Sequence, residues 1–148
     1  MRKTIVRLGV GALAATALTT STTFAAPPGP SGTLQLASEA TVARTSEGTT
    51  GTLTYGESAD FVATVDGKVS KQARIYVRVL CRQGGAIVYQ YSADPDHSFP
   101  LLDQAGQGLD WDGGAADCEA SLIYRVEKGR SAELSILDTT EFAVDGTS

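Results

Sequence analysis

Two cysteines, Cys81 and Cys118, are the residues whose chemistry is clearest, and the chain has no others. Cys81 ends an apolar run at 75–81 and Cys118 begins another at 118–124. Because the N-terminus indicates export, as described below, this pair is most simply a disulfide, which oxidising compartments allow to form and persist. A reactive thiol pair or a metal site is the rival interpretation, but no Cys-x-x-Cys spacing occurs. We predict a Cys81–Cys118 disulfide.

Acidic residues recur at Asp-x-Asp spacing in two predicted loops. Asp94 and Asp96 form one pair, and Asp110 and Asp112 form the other. Calcium takes several oxygen ligands, and carboxylates at this spacing in loops can supply them. The EF-hand order with its terminal glutamate is absent, and an acidic loop face is usually only solvated. Calcium is therefore the one candidate ligand for these residues, and no cofactor is otherwise expected.

Catalytic residues are sparse. His97 is the only histidine, so a serine or cysteine hydrolase would need it beside a nucleophile and an orienting acid. The cysteines are assigned to the disulfide, and no Gly-x-Ser-x-Gly nucleophile elbow occurs. A glycosidase would need a carboxylate pair in a cleft, which so small a domain does not imply. We expect that the protein is not an enzyme.

Aromatic residues and an arginine are the candidates for binding a partner. They are Tyr76, Arg78, Tyr89, Tyr91 and Trp111. Exposed together, such side chains form the kind of patch that contacts proteins or sugars. Trp111 lies in a Gly-rich loop seven residues before the second cysteine, a position that favours packing against the strand end over exposure.

Short alternating runs separated by turn residues must position these side chains. The strongest covers 73–82 and places three arginines on one face and apolar residues on the other, as in a half-buried antiparallel strand. In the last run Leu134, Ile136, Phe142 and Val144 share one parity, and 138–140 interrupts it, which predicts a bulge or a switch between sheets. No run has a helical period. About seven strands predict an all-β fold, an immunoglobulin-like Greek-key β-sandwich. The remaining predicted strands are 33–37, 52–55, 60–65, 86–91 and 116–126, with a short edge piece at 98–101.

The cysteines also predict a register. They fall on the third and sixth predicted strands, which are neighbours in one sheet of that fold, so the bond should join adjacent strands. If Cys81 opposes Cys118, paired residue numbers sum to 199, and Val77 then faces Leu122 on the core side. On the other side Arg82 faces Asp117, a favourable exposed pair, and Arg74 faces Arg125, the one mismatch.

The turn at Gly84-Gly85 leaves two alternatives open. A two-residue loop places Ile87, Tyr89 and Tyr91 on the arginine face. A three-residue loop that includes Gln83 places them on the core side, and the burial of apolar area favours it by several kcal/mol at ~25 cal/mol per Å².

Residues 1–25 have the pattern of a signal peptide: a basic start, an apolar run at 8–18 and small residues before a cut after Ala25. The apolar run is too short for a membrane-spanning helix, which needs about 20 residues. A Pro/Gly/Ser/Thr-rich leader at 26–50 and a β-sandwich domain at 51–148 follow. The net charge of −5 becomes −8 after cleavage, since nine basic residues face seventeen acidic ones. Nucleic acid and anionic membranes are therefore unlikely partners.

Two motifs carry a resemblance. The stretch 81–89 contains Cys-x-Gln-x-Gly followed by Val-Tyr, and 111–122 contains Trp-x-x-Gly-x-Ala-x-Cys. They resemble a group of small secreted actinobacterial proteins with an immunoglobulin-like domain, over roughly residues 52–144. The motifs are structural, so the resemblance implies a fold and an extracellular setting, and it carries no catalytic residue to this chain.

Together these features predict a secreted, non-catalytic immunoglobulin-like domain that contacts a protein or glycan through its surface. The alternative is a secreted inhibitor or small-ligand carrier that uses the loops around Trp111. We expect a monomer without a membrane anchor in the mature chain.

Overall fold

The computed structural model describes residues 29–37, 52–104 and 107–147, and within these ranges the chain is all-β, with no α-helix. No helix in the described ranges is long and apolar enough to cross a membrane. The predicted signal peptide at 1–25 and most of the predicted leader lie outside the described residues.

Nine strands form in the described residues, where about seven were predicted. β1 overlaps the predicted edge strand at 33–37, and β3 has no predicted counterpart. The strands are β1 (Ser31–Leu36), β2 (Thr52–Thr54), β3 (Ser58–Ala59), β4 (Phe61–Asp66), β5 (Ala73–Gln83), β6 (Ala86–Ala93), β7 (Phe99–Pro100), β8 (Ala116–Lys128) and β9 (Ser131–Asp145).

Three sheets result. The largest has the strand order β2-β9-β8-β5-β6 and is antiparallel except for the β2–β9 pair, which is parallel. β1 pairs with β4, and β3 pairs with β7, each as a two-stranded antiparallel ribbon. The long strands β5 and β8 largely alternate apolar and polar residues, so each presents an apolar face that needs a covering layer.

The β1–β4 ribbon supplies that layer. Leu34 and Leu36 belong to the hydrophobic core, so the core includes residues before position 51, where the domain was predicted to begin. Phe61 from β4 lies 6.0 Å from Phe142 of β9 between ring centroids. The ribbon is also tied through its backbone, because Leu34 N–H donates a 2.7 Å hydrogen bond to Asp138 of β9.

The predicted disulfide and its register are confirmed. Cys81 and Cys118 are bonded and lie directly opposite each other on adjacent strands, with 4.1 Å between their Cα atoms. The β5–β8 ladder follows the predicted pairing from Ala73–Val126 to Arg82–Asp117. The pairing holds along the whole ladder because its core side is apolar throughout, and a slip of one residue would turn that side towards solvent.

The β5–β6 hairpin has a two-residue turn, so the prediction of a three-residue loop is wrong. Gln83 pairs with Ala86, which leaves Gly84 and Gly85 as the turn residues. Their φ angles are 55° and 88°. Positive φ at both central positions is typical of a type I′ turn, which glycine adopts without steric cost.

A β-bulge in β6 nevertheless turns two tyrosines towards the core. The ladder shifts register after Ile87, so Val88 is an extra residue on this strand. An extra residue shifts the alternation by one. Ile87 therefore lies on the arginine side and is exposed, whereas Tyr89 is fully buried and Tyr91 packs partly buried against the core.

A second bulge divides β9, as the interruption at 138–140 predicted. The β8–β9 register shifts so that Leu137 has no single partner. The side chains before and after the shift therefore point to opposite faces although their sequence parity is the same. Leu134 and Ile136 are 60% and 61% exposed, whereas Phe142 and Val144 are 2% and 1% exposed.

Candidate binding face

The largest sheet has one face on the core and one that the β1–β4 ribbon does not cover, which we call the outer face. Pairing partners in a ladder share a face, so the register assigns its members. β5 contributes Arg74, Tyr76, Arg78, Leu80 and Arg82; β8 contributes Asp117, Glu119, Ser121, Ile123 and Arg125; β9 contributes Leu134, Ile136, Thr139, Glu141 and Ala143; and β6 contributes Ile87, Gln90 and Ser92.

Two arginines meet at one end of the outer face. Arg74 and Arg125 are direct partners in the β5–β8 ladder. Together with Tyr76, Ser92 and Ala93 they line an open depression of about 280 Å³. The predicted binding residue Tyr76 is therefore part of this depression and is half-buried in its wall. Like charges directly opposite each other are unfavourable in a sheet, so this pair concentrates positive potential at the depression.

The acidic partners of these arginines are few. Arg125 forms an ion pair with Glu127, with 2.8 Å between Nη2 and Oε1. Within the described ranges neither Arg74 nor Arg78 has a carboxylate oxygen within 4.0 Å. Arg78 lies two rows along the outer face from the Arg74–Arg125 pair, opposite Ser121. The guanidinium groups therefore retain most of their hydrogen-bonding capacity for a ligand or for water.

The opposite end of the outer face has the opposite charge. Glu119 and Glu141 are direct partners in the β8–β9 ladder, and Asp117 lies one row beyond them. These side chains line a second open depression of about 450 Å³, together with Arg82 and the glycine turn of the β5–β6 hairpin. Arg82 and Asp117 pair across the strands as the register predicted. The outer face therefore carries mainly positive charge at one end of its strands and mainly negative charge at the other.

Aliphatic residues lie beside the basic end. Ile123 is buried at 3% exposure although it is on the outer face, and its ladder partners are Tyr76 and Ile136. Ile136 and Leu134 remain exposed at the edge formed by β9. The basic depression therefore has an apolar border on one side.

The aromatic patch that one hairpin alternative predicted does not form. Tyr89 is fully buried, and its ring centroid lies 5.8 Å from that of Trp111. Trp111 is buried at 2% exposure, packs edge-on against Tyr55 and donates from Nε1 to the Gly114 carbonyl at 2.8 Å. Tyr91 packs against the core from the same side. These three residues stabilise the core, so Tyr76 and Arg78 alone remain of the predicted binding residues.

The Tyr89 hydroxyl is unusual because it is buried without a hydrogen-bond partner in the described residues. Burial, and secondly the charge of Tyr91, raise the pKa of Tyr89 above its ordinary value. The Tyr89 phenol therefore stays protonated at neutral pH. Its hydroxyl therefore costs stability and offers no acid–base function at neutral pH.

Two carboxylates in the acidic loops accept hydrogen bonds that hold the loop backbone in place. Asp112 Oδ1 accepts from Gly114 N–H at 2.9 Å and from Gln83 Nε2 at 3.2 Å. The backbone bond and then the glutamine bond lower the pKa of Asp112. Asp103 Oδ1 accepts from Trp111 N–H at 3.2 Å, which holds the tryptophan loop.

The candidate calcium ligands do not gather around one point in the described ranges. Within them, no group of three or more histidine, cysteine, aspartate or glutamate side chains is placed to hold a metal ion. Asp94, Asp96, Asp110 and Asp112 are all exposed, and Asp112 is engaged as a turn acceptor. Calcium needs several oxygen ligands around one point, so nothing in this arrangement favours it.

His97 has aromatic neighbours. Its ring is stacked on Tyr91 with 6.2 Å between centroids and an interplanar angle of 22°, and it lies edge-on to Phe99. Among the described residues, His97 has no carboxylate within ion-pair distance. The arrangement that orients a catalytic histidine through an acid is therefore not formed around it.

Sequence reasoning did not select the Arg74–Arg125 pair, although the signal was available. The register that follows from the two cysteines places these residues opposite each other, where they counted as a mismatch. Comparison with protein-family models, with curated proteins and with solved structures finds no match. The assignment of the site therefore depends on the geometry of the structure and not on similarity to a known protein.

Proposed function

We propose that this chain is a secreted, non-catalytic immunoglobulin-like domain that binds a protein or glycan through the outer face of its largest sheet. The observation that carries this proposal is the composition of that face. The outer face lines both depressions described above and carries the partly exposed Tyr76 and Arg78, whereas the opposite face packs into the core.

Aromatic and arginine side chains on a sheet are well suited to recognition. Tyr76 combines a large apolar ring with a polar hydroxyl, and it loses little conformational entropy on binding because it has only two side-chain torsions. Arg78 provides five donors in a planar fork. A sheet holds both residues on a rigid backbone, so binding does not first require the ordering of a loop.

An extracellular setting fits the covalent structure. The Cys81–Cys118 bond is compatible with an oxidising compartment, where such bonds persist. A largely antiparallel five-stranded sheet with the β1–β4 ribbon against its apolar face is also compatible with an immunoglobulin-like sandwich. The acidic composition of the chain makes nucleic acid a poor partner. We propose that the domain is a monomer.

The alternative function, an inhibitor or small-ligand carrier that acts through the Trp111 loops, has less support. Trp111 is buried, and it lines neither of the two depressions described above. A carrier would be expected to place its indole ring against an open apolar cavity.

Binding to immobilised extracellular proteins and glycans tests the proposal. The oxidised mature chain should bind at least one target, and the variant Tyr76→Ala/Arg78→Ala should lose at least tenfold in affinity. Val62→Ser is the matched control, because Val62 is exposed on the β1–β4 ribbon, away from the outer face. Equal loss in both variants, or no loss in either, would contradict an outer-face site.

A further inference from the structure

We propose that the basic end of the outer face is a site for the anionic groups of an extracellular glycan, either carboxylates or phosphates. This inference rests on the proposed function and names the partner. It starts from the Arg74–Arg125 pair, whose two like charges face each other across the β5–β8 ladder beside an open depression of about 280 Å³.

An anion between these arginines would relieve their repulsion. The guanidinium fork matches the geometry of a carboxylate or a phosphate and binds either in bidentate fashion. Within the described ranges Arg74 has no ion-pair partner, and the one ion-pair partner of Arg125 is Glu127. The Arg125 side chain is 44% exposed, so an incoming anion reaches the pair without unfolding any element.

Further positive charge lies at the same end of the largest sheet, because the topology brings two connections to that end. The β4–β5 connection contributes Lys68 and Lys71, and the β8–β9 turn contributes Arg130. The two acidic groups nearest to these in the sequence, apart from Glu127, are Asp66 at the end of β4 and Glu133, which pairs with Lys128. Asp94 follows β6 at this end but forms no ion pair with a described residue.

The acidic end of the same face is too far away to cancel this potential. Arg74 lies six residues before Leu80, whose ladder partner is Glu119, and strands rise about 3.4 Å per residue, so the separation is roughly 20 Å. The Debye length is about 10 Å at 0.1 M salt. An acidic protein can therefore present a locally positive site, although its net charge keeps the affinity moderate and sensitive to salt.

Tyr76 and Ser92 favour a ligand in which a sugar carries the anionic groups. Tyr76 forms part of the wall of the depression, and Ser92 supplies a hydroxyl that can donate to or accept from a sugar hydroxyl. An aromatic face beside hydroxyl and guanidinium donors matches a charged sugar better than an aliphatic acidic peptide. The depression is slightly below the size range of pockets that enclose a whole ligand, so it fits one residue of a polymer.

Titration calorimetry with matched polymers tests the assignment. Polygalacturonate supplies carboxylates, its full methyl ester keeps the sugar ring without the charge, dextran phosphate supplies phosphates, and polyglutamate supplies carboxylates without sugar. The oxidised mature chain should bind polygalacturonate or dextran phosphate at 20 mM salt, at least tenfold more tightly than it binds the ester or polyglutamate. The stronger of the two anionic glycans then identifies the anion.

Variants locate the site. Arg74→Gln and Arg125→Gln should each weaken glycan binding at least fivefold and reduce the dependence of log K on log salt concentration. Arg82→Gln removes the same charge from the same strand and face but at the acidic end, so it should change the affinity less than twofold. All three residues are exposed, so the variants should fold normally.

Three results would overturn the proposal. One is binding of the methyl ester as tight as that of polygalacturonate, and another is an equal loss from Arg82→Gln. The third is preferential binding of polyglutamate, which would assign the site to an acidic peptide. If the proteins and glycans bound in the Tyr76→Ala/Arg78→Ala test are unaffected by Arg74→Gln and Arg125→Gln, this inference fails while the proposed function stands.

Discussion

Reduction of the Cys81–Cys118 bond should destabilise the domain without changing its native structure. The two cysteines are separated by 37 residues. For a loop of this length the chain-entropy relation gives about 4 kcal/mol at 25 °C, because the bond restricts the unfolded chain. The β5–β8 ladder holds the same two residues opposite each other through pairs on both sides, so the folded state does not need the bond to keep its register.

Urea unfolding of the oxidised and reduced protein measures the effect without any mutation. The free energy of unfolding should fall by about 4 kcal/mol, a large part of the 5–15 kcal/mol typical of a domain. The midpoint of thermal unfolding should fall by roughly 15 °C or more. The slope m should rise on reduction, since the unfolded chain without the cross-link exposes more surface.

The double variant Cys81→Ala/Cys118→Ala adds a control. Both sulfurs are buried, so their removal should cost further stability through cavities, beyond the loss seen on reduction. NMR contacts between Val79 and Ala120 should persist in the reduced protein, because these residues are ladder partners. A loss below about 1 kcal/mol, or disappearance of these contacts on reduction, would refute the entropic explanation.

Three further predictions concern the core and the loops. Tyr89→Phe removes the buried hydroxyl that has no partner in the described residues and should raise the free energy of unfolding by about 1 kcal/mol, measured with urea; a loss of stability would show that the hydroxyl is satisfied. Gly32→Ala should cost about 1–3 kcal/mol, because its Cβ would lie 2.9 Å from the Thr64 carbonyl oxygen, whereas Gly29→Ala should be neutral, with nothing within 4 Å. NMR titration should find the pKa of the Asp112 carboxyl below the ordinary value of about 3.9. A depressed folded-state pKa means that its contribution to stability is complete above that value and is lost as the pH falls through the folded-state pKa, so the Asp112→Asn variant should lack this acid-dependent loss.

Much of the architecture follows from local patterns in the sequence. The predicted strands match eight of the nine strands to within about three residues, because a strand at a core must place apolar side chains on one face. Of the two strands that were not clearly predicted as part of the domain, β1 was assigned to an edge in the leader and β3 is only two residues long. Short pieces such as β3 have too few residues to show a period.

The candidate site was only partly predictable. Tyr76 and Arg78 were assigned to the outer face correctly, since β5 is uninterrupted and its alternation can be counted from Cys81. Trp111 was expected to pack against the strand end, and it is buried. The environment of Tyr89 was left open, because it depends on the parity of another strand. Asp112 accepts a hydrogen bond from a backbone N–H in a turn. The spacing of carboxylates in the sequence does not show which of them lie close enough to a backbone donor to do so.

The sequence by itself determined the disulfide, the strand that carries each cysteine and the β5–β8 register, because one covalent constraint and one apolar face leave a single pairing. The tertiary structure alone decided which way residues beyond a bulge point. Val88 and Leu137 each add one residue to a ladder, and this exchanges the faces of every side chain that follows. Where a strand inserts such a residue depends on which face gains more from burial against distant elements. Local periodicity does not contain that information.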